Sequence, residues 1–158
     1  MEPFVASLDD SPPVDLVLSS GFLAFARHIG FLDAIEGSRL RVDGICGTSS
    51  GAMVGALWAA GHSLDSIADE LTRSRPIAFF RGHWRPWQGL AHSRAIIEHL
   101  ERLLPPAFED LPRPFAVGVR GPDKGHVLLR SGPLPQAVAA SCAIPIVFAP
   151  VRVGAQVF

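Results

Sequence analysis

Apolar residues fall along this chain in short runs and helical stripes that alternate. Asp15-Leu16-Val17-Leu18 is an apolar run set between Pro12-Pro13 and Ser19-Ser20-Gly21, which predicts a buried strand. From Phe25 to Glu36 the apolar positions recur at helical spacing, through Phe25, Ile29 and Leu32 and again through Phe31 and Ile35. That stripe is wide enough to predict a helix covered on most sides, with His28 as a core histidine. Val42 to Cys46 reads as a second strand, and Ala52 to Ala60 as a helix stopped by Gly61. On that helix Gly51, Gly55 and Ala59 share one face, which lets it lie close against a sheet. Ser63 and Ser93 are expected N-caps of helices running to Thr72 and Leu104. Phe115–Val119 and Val127–Leu129 read as strands of a hairpin turning through Gly121–Gly125. Pro135–Cys142 reads as a small-residue helix, Ala143–Pro150 as a proline-broken loop, and Val151–Phe158 as one or two further strands. Strand–helix–strand–helix order, with apolar strands that do not alternate, predicts an α/β fold whose mostly parallel sheet is covered on both faces.

Composition narrows the class. The 158 residues are 48% hydrophobic and 18% charged, which excludes a disordered chain and suits one folded domain. The expected organisation is a flexible segment over 1–13 and one domain over 14–158. A net charge of −1 gives no basic field for nucleic acid. Residues 131–151 carry no charge, but Pro133, Pro135, Pro145 and Pro150 argue against a membrane-spanning helix there. The acidic N-terminus lacks the basic region of a signal peptide. The two cysteines, Cys46 and Cys142, are read as buried reduced thiols, and the compartment as cytoplasmic. Neither a phosphate loop, nor a dinucleotide fingerprint, nor H-E-x-x-H is present, so no cofactor and no metal are expected.

The segment with chemical content is Gly47-Thr48-Ser49-Ser50-Gly51, which fits G-x-S-x-G with a strand running in and a helix running out. Glycines at both ends allow a sharp turn that lifts Ser49 to the top of the sheet. The backbone N–H of Ser50 then points toward a developing oxyanion. A serine nucleophile needs a base. A Ser-His-Asp triad is one alternative, although none of the histidines after Ser49 (His62, His83, His92, His99 and His126) sits in a late strand-end loop.

Three stretches of the chain resemble the patatin-like phospholipases. Asp15–Glu36, with His28-Ile29-Gly30-Phe31-Leu32, is similar to that family's first strand, oxyanion loop and helix. Val42–Ala52 is similar to its nucleophile elbow, and Ala137–Pro145 with Pro150-Val151 to the segment leading into its last catalytic motif. The resemblance implies a three-layer α/β/α fold and a Ser–Asp dyad, with Ser49 attacking fatty acyl esters of phospholipids or lysophospholipids. It puts the oxyanion loop on Ser20-Gly21-Phe22-Leu23-Ala24-Phe25, with Gly21, Phe22 and Ser50 as N–H donors. Of the family's G-G-G-x-R-G pattern only Gly21 is kept there, and Ala24 stands in the arginine position, so the hole is expected to be reshaped and more apolar. The family's aspartate belongs to an Asp-Gly motif just after the strand begun by Gln156-Val157-Phe158. The resemblance therefore implies that the base lies beyond Phe158, that the domain is C-terminally incomplete, and that this stretch alone is inactive. A lipid-binding or regulatory pseudoenzyme of the same fold is the non-enzyme alternative. Phe79, Phe80, Trp84 and Trp87, interleaved with arginines, are candidate lipid contacts at a membrane surface, or aromatics that plug one side of the core.

Overall fold

The structure, a computed structural model, describes residues 12–21, 24–73, 94–121, 123, 125–143 and 151–158. The expected flexible segment lies almost wholly outside these residues, as do Phe22, Leu23, Phe79, Phe80, Trp84, Trp87, the Ser93 cap and most of the 143–150 loop.

The front of the chain folds as β1 (Val14–Leu18), α1 (Phe25–Glu36), β2 (Val42–Gly47) and α2 (Ser50–Ala59). Next come α3 (Leu64–Arg73) and a helix α4 over residues 94–100. A short 3-10 turn (Phe108–Asp110) leads to β3 (Phe115–Arg120), β4 (His126–Leu129) and α5 (Leu134–Cys142). The chain closes with β5 (Arg152–Val153) and β6 (Gln156–Val157), two short strands paired with each other. The four-stranded sheet runs β1-β2-β3-β4; its first three strands are parallel and β4 returns antiparallel, with Arg120 opposite His126.

A strand order that advances in one direction, joined by right-handed crossovers, puts successive connecting helices on the same face. Accordingly α2 packs on β1, β2 and β3, and α1, α3 and α5 pack around α2. Leu16, Leu18, Ile45, Phe115, Val117 and Val119 point into that core, where α2 is buried along nearly its whole length. Burial alternates along β1 and β3, so the opposite sheet face holds different residues: Val17 is 74% exposed and Leu128 51%. Helix α1 also buries a single face, through Phe25, His28 and Leu32, and leaves Phe31 exposed. The wide apolar stripe thus overstated how far that helix is covered.

Local chemistry explains the remaining boundaries. The Ser66 N–H donates to Ser63 Oγ at 3.2 Å, the expected cap of α3. Trp58 Nε1 donates to Glu36 Oε1 at 2.6 Å, while the Arg113 guanidinium lies 4.5 Å from the Trp58 ring centre and donates to the Trp58 carbonyl. These contacts fasten the ends of α1 and α2 to the approach of β3. No described helix is long and apolar enough to cross a membrane.

Candidate active site

The glycines at the β2–α2 junction leave room for nothing larger. A Cβ on Gly47 would sit 2.5 Å from the Gly51 carbonyl oxygen and 2.7 Å from Ala52 Cα; one on Gly51 would run into the Leu18 carbonyl. Backbone therefore packs on backbone, and the turn between them is forced to be tight. Ser49 absorbs that turn at φ 54° and ψ −119°, the one non-glycine residue with positive φ among those described. Such a conformation costs about 1–3 kcal/mol and persists only when its surroundings enforce it. Helix α2 starts at the next residue, Ser50, two positions before Ala52, because the turn hands directly into it.

Ser49 opens onto a cavity of about 760 Å³ at the carboxyl ends of the parallel strands, the usual place for a ligand in an open α/β sheet. The cavity brings together Ser20, Gly21 and Phe25 from the β1–α1 turn with Thr48, Ser49 and Ser50 from the elbow. Met53, Val127 and Leu128 add apolar wall, while Arg120 and His126 stand side by side at the β3–β4 end. Gly21 shapes its own turn: its carbonyl accepts the Ala24 N–H at 3.2 Å, and a Cβ on it would lie 2.7 Å from that of Ala24. Ala24 itself is buried and turned away from solvent.

Behind the elbow lies His28, whose Nε2 is 3.5 Å from the buried Ser50 Oγ. Burial pushes the His28 pKa below its ordinary value; a hydrogen bond with the Ser19 backbone opposes this, and nearby Arg27 adds to it. Burial thus favours the neutral form of the imidazole.

Two residues without an assigned role in the sequence reading complete the surroundings. Ser49 N–H donates to Ser141 Oγ at 2.9 Å, and the Ser141 hydroxyl donates to the Gly118 carbonyl at 2.7 Å. The Cys142 thiol donates to the Ser49 carbonyl at 3.5 Å, and full burial pushes its pKa up to about 12, so it is an inert thiol; Cys46, expected to be buried as well, is only partly covered on β2. The small-residue segment before Pro145 marked this region but could not say what it touched.

His83 and His92 lie outside the described residues. Among the described histidines that follow Ser49, His62 is bonded to the Leu103 carbonyl at 2.7 Å, His99 faces Glu70 at 3.2 Å, and only His126 lines the cavity. No carboxylate lines the cavity among the described residues. Asp43 is exposed on β2, in keeping with a strand residue. Among the described residues no cluster of His, Cys, Asp and Glu could hold a metal ion.

Comparison with known proteins places this geometry. The family model described as patatin-like phospholipase matches residues 16–158. Uncharacterized NTE family proteins of Mycobacterium tuberculosis and Mycobacterium bovis are 35% identical over 145 residues, which is 89% of this chain and 40% of theirs. The neuropathy target esterase of Drosophila melanogaster is 37% identical over 57 residues, 36% of this chain and 4% of that protein. The chain thus spans about 40% of the length of the mycobacterial relatives.

Proposed function

The chain belongs to the patatin-like phospholipase family, and on that premise we propose a serine lipid acyl hydrolase that cleaves fatty acyl esters of phospholipids or lysophospholipids through an acyl-enzyme on Ser49. The observation that carries this reading is Ser49 itself, held in a strained turn between a strand and a helix and opening on a cavity of about 760 Å³.

In this reading Ser49 Oγ attacks the acyl carbonyl as its proton passes to the base. The oxyanion that forms is met by the N–H of Ser50, at the first residue of α2, and by the backbone N–H groups of Gly21 and Phe22. The helix N-terminus favours negative charge at that point. Collapse of the intermediate breaks the ester C–O bond, and the departing alcohol takes the proton back. Water then attacks the acyl-enzyme by the same route and releases the fatty acid. The proposed base is an aspartate, making a Ser–Asp dyad with Ser49, as the family resemblance implies. The apolar wall of Phe25, Met53 and Leu128 suits an acyl chain. No metal or cofactor enters the scheme. Contact with a membrane surface through Phe79, Phe80, Trp84 and Trp87, from the cytoplasmic side, belongs to the same proposal.

Labelling of the intact protein with a fluorophosphonate tests it. The adduct is expected on Ser49 and is expected to vanish in Ser49→Ala. Absence of labelling overturns the hydrolase reading and leaves the lipid-binding pseudoenzyme. A Ser-His-Asp site built on His126, the one histidine at the cavity among the described residues, predicts that His126→Ala abolishes labelling; the dyad predicts that it does not.

A further inference from the structure

Both polar backbone groups of Ser49 are tied to the C-terminal end of α5, which lies 92 residues away in sequence. Its N–H can only donate and the Gly118 carbonyl can only accept, so the Ser141 hydroxyl between them has one workable orientation. It gives its single proton to Gly118 and offers lone pairs to Ser49. The Ser49 carbonyl accepts from Met53 N–H at 3.0 Å and from the Cys142 thiol at 3.5 Å.

We propose that Ser141 is a positioning residue for the nucleophile. Its hydroxyl pins the Thr48–Ser49 peptide plane against β3, and so holds Ser49 at the positive φ that aims Oγ into the cavity. The proposal rests on the hydrolase reading of Ser49. Three observations support it beyond the distances. Ser49 is strained and needs an external restraint, since a relaxed φ would swing the Cα–Cβ bond away. The bridge ends on β3, which pairs with β2 at Gly47↔Val117, immediately before the elbow, so the restraint is anchored in the sheet. Finally, the bridge occupies the Ser49 N–H. That leaves the N–H groups of Ser50 and Gly21, both lining the cavity, as the described donors for the oxyanion in that reading.

The test compares intact wild type, Ser141→Ala and Ser141→Thr, by the rate of fluorophosphonate labelling and by amide hydrogen exchange of residues 47–51. Removing the hydroxyl leaves two partly buried groups without their partner and frees the peptide plane. Labelling of Ser141→Ala is expected to slow by about tenfold or more, the scale of a misplaced reacting atom. Exchange at the Ser49 amide is expected to speed up while α1 and α3 exchange as before, and Ser141→Thr is expected to recover much of the rate. Wild-type labelling rates in Ser141→Ala overturn the proposal, as does slow labelling with unchanged exchange at the elbow. Should Ser141→Ala not fold, Ser141→Cys, whose thiol is a weaker acceptor, carries the same comparison with the same overturning results. If wild type is not labelled at all, it is the hydrolase reading that falls, and the exchange comparison alone then decides whether Ser141 holds the elbow.

Discussion

At the scale of single residues, steric exclusion dominates. Gly51 faces the Leu18 carbonyl so closely that the smallest side chain requires strand and helix to part. Gly51→Ala is therefore expected to cost about 3 kcal/mol or more, or to prevent folding, because the obstacle is backbone and not a side chain that can rotate away. Urea unfolding measures this, and a loss below about 1 kcal/mol would contradict it. His28 makes a subtler contribution. Its folded pKa is below the ordinary 6.5, so between those two values the unfolded chain binds more protons than the folded one. This group's stability is complete above pH 6.5 and is lost as pH falls toward the folded value. Unfolding midpoints taken from about pH 8 down to about pH 5 should drop more steeply for wild type than for His28→Gln. Parallel curves would show that burial does not favour the neutral imidazole.

Elements are decided by how their faces meet. Helix α2 has almost no polar side, and Gly55 brings it against β1, β2 and β3: an added Cβ would lie 3.0 Å from the Phe115 ring and 3.3 Å from Leu18 Cδ1. Gly55→Leu is expected to lift the helix and to destabilise the fold by about 1–3 kcal/mol through overpacking, again read from urea unfolding. Helix α3 contrasts with it, amphipathic and capped by Ser63. Ser63→Ala is expected to cost about 0.5–2 kcal/mol. The Arg73–Asp69 pair on its exposed side adds little, since both side chains are largely in solvent. A Ser63→Ala variant as stable as wild type would show that the cap bond is not formed in solution. These two helices were legible in the sequence for different reasons, the first from small residues spaced four apart and the second from its cap and apolar period. The extent of α1 was legible too, but its degree of burial was not, because a stripe records which positions are apolar and says nothing about how many neighbours arrive.

At the scale of the described residues as a whole, α1, α3 and α5 pack around α2 on a mostly parallel sheet, and the cavity forms where the strand ends and the elbow converge. The other face carries Val17 in the open on β1, at one end of the sheet order β1-β2-β3-β4. An exposed apolar residue on such an edge favours association between chains. Val17→Thr is expected to reduce light scattering on concentration while changing stability by no more than about 0.5 kcal/mol. Unchanged scattering would mean that this face is not what drives association.

The sequence by itself determined the α/β class, most element positions, the family, and the serine at the elbow. All of these follow from local patterns: runs, periods, caps, and two glycines around one serine. Only the tertiary structure decided what surrounds that serine. Ser141, Cys142, Gly118 and His126 come from segments 69 to 93 residues away in sequence, and chain folding alone sets those distances. Sheet register likewise set which face of each strand is buried, since a shift of one residue would exchange the two faces. Local chemistry wrote the turn that lifts Ser49; long-range hydrogen bonds keep it there.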